Sequence, residues 1–407
     1  MVCAVGLIPV EEALARVLDQ VEPLPAEFVA VATAHRRVLA AGLAARRTQP
    51  PAAVSSMDGY AVRAADIASV PARLQLIGEA TAGGIFSGEV GPGQTVRILT
   101  GALIPDGADM IVIQENTRRD GDTVVIERAE PRGRHIRRMG LDFSEGDLRL
   151  PPGRVLTVRD LALAAAMNHA IVPVRRKARV AVISTGDELV PSGAALAPGQ
   201  IVSSNGPALA AMARAEGAQV LDIGIVPDRL SDTIAAIRQA RAWGADVLVT
   251  TGGASVGDYD LVQPALAAEG MQLAFWKVAL RPGKPLMHGR LGAMRVLGLP
   301  GNPVSAYVCA LLFLLPLLRR LGGCPDTASA SETAILGRDL PANDERQDYL
   351  RSVLRAHAGG GFVAFPLDVQ DSSMMSALAA ADCLVIRAPH APAVKAGQAC
   401  PMIRLSL

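Results

Sequence analysis

Residues 247–258 read VLVTTGGASVGD, and the fold of the chain follows from how that stretch is built. Apolar β-formers and two threonines run straight into Gly252-Gly253, after which a small polar run closes on Gly257 and Asp258. A buried strand that ends in a glycine-rich loop and feeds a helix is the usual way an α/β sheet presents backbone N–H groups to an anion. The stretch lacks both the Lys-Ser/Thr of a phosphate-binding P-loop and GxGxxG spacing, so neither standard nucleotide reading applies. Its weight comes from repetition in the neighbouring segments.

Outward from that strand, residues 179 onward alternate strand and helix. Residues 179–185 (RVAVIST) predict a strand before Gly186-Asp187-Glu188, and residues 201–204 lead to Asn205-Gly206-Pro207, with Pro207 early in a helix that runs to Glu216. Residues 220–226 predict a strand ending at Pro227-Asp228, after which Ser231 is expected to cap a helix through Trp243. A strand over residues 272–280 precedes Arg281-Pro282-Gly283-Lys284-Pro285, and one over residues 295–299 precedes Pro300-Gly301-Asn302-Pro303 and an apolar helix. This alternation predicts a doubly wound, mostly parallel sheet inside a multidomain α/β protein. Ligands of such sheets bind outside the carboxyl ends of the strands. Asp187, Glu188, Asp228, Gly252, Gly253, Ser255 and Asp258 are therefore expected to line one crevice.

The flanks read differently. Residues 8–20 place Val10, Leu14, Val17 and Leu18 at helical spacing with Glu11 and Glu12 in the first turn. Thr48-Gln49-Pro50-Pro51 is a stiff extended linker, and Asp58-Gly59 is a turn dipeptide before a short strand. Short β runs at residues 74–77, 95–99, 110–114 and 123–127, punctuated by glycine and proline, predict a small inserted β domain. From about Thr327 the text returns to short strands and turns, a second small β domain.

At 407 residues the chain predicts two to four domains. A net charge of +1 gives no global field for nucleic acid or an acidic membrane, so charge chemistry must be local. Cys3, Cys309, Cys324, Cys383 and Cys400 show no CxxC spacing, which disfavours zinc and disulfide frameworks and fits a reducing cytoplasm. Glu11 and Glu12 interrupt what a signal peptide would continue. The apolar run over residues 304–318 contains Pro316 and falls short of the roughly 18 to 20 residues of a membrane span, so a buried helix is expected.

The crevice sets Asp187, Glu188, Asp228 and Asp258 against Lys277, Arg281 and Lys284. Clustered carboxylates repel unless a hard cation sits between them, and Mg²⁺ is commonly held by one or two carboxylates plus substrate phosphates. Taken singly, Asp187 and Asp228 also admit a role as helix caps. In residues 281–285 two prolines fix the backbone and Gly283 allows close approach, which pre-positions the cations; an exposed turn is the alternative. The basic run over residues 134–142 (RHIRRMGLD) reads equally as a solvated face. Six dispersed histidines offer no Ser-His-Asp or Cys-His set, which disfavours hydrolysis through an activated nucleophile.

Taken together, SSMDGYAVRAADI, VRILTGALIPDGAD, ISTGDEL, SSNG, TTGGASVGDYD, FWKVALRPGKPL, GLPGNPVSA and QDSSMMSALAAADCLVI resemble, in order, the molybdopterin molybdenumtransferases of the MoeA and gephyrin E-domain type. The resemblance spans almost the whole chain. It implies an N-terminal helix (1–26), a discontinuous linking domain (27–45 and 147–177), an inserted β domain (46–146), a central molybdopterin-binding α/β domain (178–326) and a terminal β-barrel-like domain (327–407). It implies an enzyme that inserts molybdate into adenylylated molybdopterin, cleaves the adenylate with Mg²⁺ and releases molybdenum cofactor and AMP. It further implies a homodimer whose cleft is shared between subunits, with the pterin handed over by a molybdopterin adenylyltransferase. By the same resemblance Asp58, Thr100 and Asp142 reach the cleft from the inserted domain, and Glu188, Asp228 and Asp258 serve the metal. Lys277, Arg281 and Lys284 hold anionic groups, with Lys284, Pro285, Ser305, Arg351 and Ser372 nearest molybdate.

Three positions depart from the family pattern. Leu141 stands where an acid is usual, Arg281 where lysine is common, and Asp371-Ser372-Ser373 replaces Gly-Ser-His. The last change puts an acid beside the expected oxyanion site and allows a tungstate-preferring paralogue. An adenylyltransferase of the same fold is disfavoured by the β domains on both sides, and a non-catalytic scaffold by the retained acids and lysines.

Overall fold

The structure, a computed structural model, describes residues 7–252, 261–328 and 330–405. In the central sheet the spatial order is Gln219–Val226, Arg179–Thr185, Val247–Thr251, Met294–Leu299, Met287–Leu291, Gln272–Trp276. The first four strands are parallel. Met287–Leu291 is antiparallel to both its neighbours, so Gln272–Trp276 again runs with the first four. Its carboxyl end, carrying Lys277, thereby reaches the same edge as those of Val247–Thr251 and Arg179–Thr185.

Both faces of this sheet are dry, which is why its strands read as continuous apolar runs rather than alternating ones. Val180, Val182, Val247, Val249 and Leu297 point into one core, shared with the N-terminal helix and the apolar helix that follows Pro300-Gly301-Asn302. Ala181, Ile183, Leu248 and Val296 point into the other, against Ile237, Ala240 and Leu266. The two sets alternate along each strand, as a period of two requires. The N-terminal helix Val10–Leu18 buries Val10, Ala13 and Val17 in the first core. The apolar helix starts as Pro303–Cys309, widens to a π turn at Ala310–Leu314 and resumes as Leu315–Leu321. The wide turn ends just before Pro316, whose ring would clash with the carbonyl four residues back in a regular helix. Long and apolar enough to cross a membrane, Pro303–Leu321 is instead packed in the core.

Two details differ from the sequence reading. The strand expected over residues 272–280 stops at Trp276, and Met287–Leu291, unanticipated, forms a hairpin with Met294–Leu299 around Gly292, whose φ of 63° suits the turn. Ser231 is not a cap. The helix is Leu230–Ala242 with Arg229 at its N-cap, and the Arg229 carbonyl accepts from the N–H of Asp232 (3.1 Å) and Thr233 (3.0 Å). Extended backbone at Arg229 leaves Ser231 already inside the first turn.

The chain between residues 59 and 126 forms a mixed six-stranded sheet, ordered Met110–Ile113, Gly59–Val62, Gln94–Ile98, Ala72–Ala80, Thr123–Ile126, Thr117–Asp120, beside a separate ribbon of Val54–Ser55 with Ile136–Arg137. It leaves and rejoins a small body made of the ribbons Ala26–Ala30 with Ile171–Arg175 and Leu43–Ala44 with Leu148–Leu150. The helix Val158–Ala166 packs there, opened by a capping box between Thr157 and Asp160. At the other end, Gln347–Ala356 pairs with both Phe362–Pro366 and Cys383–Arg387, while Ser331–Leu336 and Ala399–Arg404 complete the ring. The result is a closed five-stranded barrel. A short sixth strand, Leu280–Arg281, leaves the central region and pairs in parallel with Gln347 and Asp348 of the barrel.

Candidate functional site

At the carboxyl edge of the central sheet lies a cavity of ≈ 470 Å³, bounded by the ends of the Arg179–Thr185 and Val247–Thr251 strands, by Asn205 and Asn302, and by Ser373 and Met375. Asn205 begins the helix Asn205–Ala215 and donates to Thr251 Oγ1 (2.7 Å) and to the Gly301 carbonyl (2.7 Å), tying two strand-end loops together. Gly252 lines the cavity with φ 86°, and a Cβ there would lie 2.4 Å from the Thr185 carbonyl oxygen. Only glycine lets the backbone turn here. Gly253, Ser255 and Asp258, expected in the same crevice, lie outside the described residues.

Asp187 and Asp228 meet each other, although not as helix caps; of the described residues expected in the crevice, Glu188 and Gly252 line this cavity and Asp187 and Asp228 do not. The Asp228 N–H donates to Asp187 Oδ1 (3.0 Å) and the Asp187 N–H to Asp228 Oδ2 (3.4 Å), so each carboxylate holds the other's loop. Burial is the main cause that raises the Asp228 carboxyl above its usual range, and the charges of Asp187 and Glu188 add to it against the opposing Asp187 N–H. Such crowding suits a hard cation. Among the described residues no three ligating side chains close into a metal site by themselves. Mg²⁺ held by one or two carboxylates and by substrate phosphates needs no such cage.

The cations divide into two kinds. Lys277, with φ 85°, donates its N–H to the Leu286 carbonyl (3.0 Å), and its Nζ lies 5.4 Å from the Trp276 ring centroid. Lys284 is exposed while its carbonyl accepts from the N–H of Val278 (2.9 Å) and Leu286 (3.0 Å). Neither lysine meets a carboxylate among the described residues. Arg281, expected to hold an anionic group, is instead engaged by the barrel. Its Nε donates to Asp348 Oδ1 (2.7 Å), Nη1 to Asp344 Oδ2 (2.9 Å), and Nη2 to Asn343 Oδ1 (3.0 Å) and to Asp348 Oδ2. The planar fork matches a carboxylate in a way a lysine would not, so the departure from lysine fastens two regions.

Arg351 sits on the barrel strand Gln347–Ala356 with 0% of its surface exposed. Its Nε and Nη1 have no partner among the described residues, and Nη2 reaches the Val369 carbonyl only at 3.5 Å. Burial lowers its pKa and the Asp371 charge opposes that. Gln370 clamps its main chain, accepting from the N–H and donating to the carbonyl, both at 3.0 Å. Ser372 Oγ accepts from Asn302 Nδ2 (2.7 Å), and its carbonyl accepts from the Val304 N–H (3.0 Å) in the first turn of the apolar helix that buries Ser305. Asp371 accepts from the Ser373 hydroxyl (2.6 Å) and N–H (2.8 Å), which hold its carboxyl below the usual range. Pro285 follows Lys284 in the same loop. The connecting roles of Asn205, Asn302 and Gln370 were not foreseen, although SSNG, PGNP and the Gln370-Asp371 run mark their positions.

In the inserted sheet Asp58 accepts from the Thr100 N–H (2.7 Å) and hydroxyl (2.8 Å), and these bonds hold its carboxyl below the usual range. A Cβ on Gly59 would lie 2.1 Å from the Val112 carbonyl oxygen, so the residue after Asp58 must be glycine. Asp142 and Arg137 line a ≈ 460 Å³ cleft with Gly101. The basic run is thus partly a cleft wall. Among the described residues no hydrogen bond or ion pair joins Asp58, Thr100 or Asp142 to the acids and lysines of the central edge.

Residues 8–168 match the family described as MoeA N-terminal region (domain I and II), residues 181–320 the probable molybdopterin binding domain, and residues 333–405 the MoeA C-terminal region (domain IV). The chain is 35% identical to a molybdopterin molybdenumtransferase of Bacillus subtilis over 93% of its length and 90% of that protein's. It is 32% identical to one of Haemophilus influenzae, covering 96% and 97%. A crystal structure of the molybdopterin biosynthesis MoeA protein from Pyrococcus horikosii superposes with a TM-score of 0.85 at 29% identity, covering 99% of this chain and 100% of that one.

Proposed function

The chain belongs to the molybdopterin molybdenumtransferase (MoeA) family, transferases of molybdenum cofactor biosynthesis, and on that premise we propose that it inserts molybdate into adenylylated molybdopterin with loss of AMP. The observation that carries the chemistry is Arg351, a charge buried in the barrel with two nitrogens unpaired. An oxyanion supplies the acceptors such a group lacks. Lys284, Pro285, Ser305 and Ser372 complete the molybdate subsite. Lys277 and Lys284 offset charge that develops on the phosphate oxygens as the P–O bond to adenylate breaks, a reaction governed by positioning and electrostatics. Glu188, Asp228 and Asp258 would hold Mg²⁺, which when bound neutralises phosphate charge. Gly252, Gly253 and Ser255 seat the pterin phosphate.

Asp58, Thr100 and Asp142 belong to the cleft of a second subunit in a homodimer. Within one chain, and among the described residues, Asp58 is engaged by Thr100 and not by the acids or lysines of the central edge, which leaves it for a neighbouring subunit's cleft. The setting is cytoplasmic, with the pterin delivered by an adenylyltransferase. Purified protein mixed with adenylylated molybdopterin and Mg²⁺ is expected to release AMP on addition of molybdate. No molybdate-stimulated release, with the protein folded, sinks the proposal.

A further inference from the structure

The helices Asn205–Ala215 and Pro303–Leu321 start at the carboxyl-edge cavity and end at a second one. At 1.5 Å per residue they span roughly 16 and 28 Å, so the second cavity lies at the opposite, amino edge of the sheet. It measures ≈ 560 Å³ and is walled by the linking region, the ends of both helices and the chain that leaves for the barrel.

The charges lining it are unequal. Arg37, Arg154 and Arg319 are matched by Glu27, Asp160 and Glu216. Arg36, Lys177 and Arg214 have no ion pair or side-chain hydrogen bond among the described residues, and Asp326 is the one lining acid left to oppose them. The last-turn carbonyls are satisfied without these cations, although the helix dipole still favours Arg214 where it stands. The carbonyls of Met212, Ala213 and Arg214 are taken by the N–H groups of Glu216, Ala218 and Gly217, and those of Leu318, Arg319 and Arg320 by Gly322, Cys324 and Gly323. Arg36 is also held at φ 61°, its N–H bonded to the Leu156 carbonyl (2.8 Å). A side-chain-bearing residue keeps that conformation only where its surroundings fix it.

From this arrangement we propose that the amino-edge cavity is a second anion site, which takes a compact oligophosphate. Arg36, Lys177 and Arg214 are exposed at the mouth of one cavity, so water screens their repulsion, and a polyanion that enters it gains from all three at once. The arginine forks suit phosphate. Among the described residues His35 is the one aromatic ring in the walls and basic side chains dominate them, so charge is the main handle of the site. Its position at the junction of linking region, sheet and barrel means that a bound anion would tie Arg36 and Lys177 of one region to Arg214 of another.

The test is calorimetric titration of the full chain with inorganic tripolyphosphate, without divalent metal and at about 50 mM salt, where screening is weak. Lys284→Met, which disables the carboxyl-edge subsite, is expected to leave a binding event intact. The pair Arg36→Ala with Arg214→Ala is expected to weaken that event at least about tenfold, the scale of a lost charge-assisted hydrogen bond, while AMP release persists. Asp326→Asn tightens it, a gain that misfolding cannot mimic. Equal affinity in wild type and the arginine pair, no tightening in Asp326→Asn, or loss of all binding in Lys284→Met overturns the inference.

Discussion

Two bases are buried completely, in different regions, and the two regions treat them in opposite ways. His288 lies in the Met287–Leu291 strand of the central sheet and Arg351 in the barrel wall, each with 0% exposure. Each leaves nitrogen unpaired: Nε2 of His288, and Nε and Nη1 of Arg351. Burial drives the histidine pKa down to about 4, while Nδ1 keeps a 2.9 Å bond to the Val296 carbonyl. The sheet therefore discards its charge, leaving a neutral ring that the backbone of Val296 and Arg16 touches. A guanidinium has no such exit near neutral pH. The barrel retains a buried positive charge, opposed among the described residues only by the Asp371 carboxylate and a long contact to the Val369 carbonyl, and on the proposed function the substrate oxyanion is its remaining partner. What differs is not burial but whether the buried group can become neutral.

Arg351→Met breaks that comparison most directly. Molybdate-stimulated AMP release is expected to fall by about 10²–10³-fold, the scale of losing one preorganised electrostatic contact. The apo protein is expected to melt no lower than wild type, since methionine replaces an unpaired buried charge with apolar volume. Molybdate should raise Tm in wild type and not in the variant. A variant that unfolds several degrees earlier yet retains molybdate-dependent turnover assigns Arg351 a purely structural role.

The histidine half is sharpened by pH. The folded pKa of about 4 lies below the ordinary 6.5, so the unfolded chain binds the proton first on acidification. Its stabilising contribution is complete above about pH 6.5 and is lost as pH falls towards 4, amounting to about 3 kcal/mol. His288→Gln removes that titration. Urea unfolding of both proteins at about pH 7 and pH 4 should show wild type losing more stability than the variant by that order. Parallel losses would mean that His288 is charged in the fold and the contrast with Arg351 is false.

Why one half of this picture was legible beforehand and the other was not comes down to the range of the contacts. Val180 to Ile183 and Val247 to Val249 announce a sheet covered on both faces, because each strand carries its burial in its own run of residues. Asp187, Glu188, Asp228 and Gly252 follow as the ends of those strands. Met287–Leu291 escaped because His288, Gly289 and Arg290 break the apolar run, and its register is imposed by two neighbours. The burial of Arg351 depends on barrel closure, in which Ser331–Leu336 pairs with Ala399–Arg404 across some seventy residues of chain. Its expected place beside molybdate came from resemblance, since no local pattern distinguishes it from an exposed strand arginine. Arg281 is the same case in reverse. The RPGKP string announces a rigid cation-bearing loop, while Asp344 and Asp348, which engage the arginine, lie more than sixty residues later.

Arg281→Lys yields the smallest and most diagnostic effect. The strand pair Leu280–Arg281 with Gln347 and Asp348 places the Lys284 loop against the same barrel strand that carries Arg351 three residues further on. The arginine bonds two carboxylates and Asn343 at once; a lysine keeps the charge but cannot reproduce the fork. On the proposed function, a loosened clasp shifts the Lys284 loop relative to the strand that carries Arg351 without removing either, so the loss falls on oxyanion affinity and spares the bond-breaking step. The molybdate concentration for half-maximal AMP release is expected to rise about five- to tenfold, the scale of roughly 1 kcal/mol, with kcat changed by less than about twofold. A lower Tm with that concentration unchanged would make the clasp a stability device only. A rise in it that Arg281→Ala exaggerates would tie the dry charge of the barrel to the wet charge of the loop as one site.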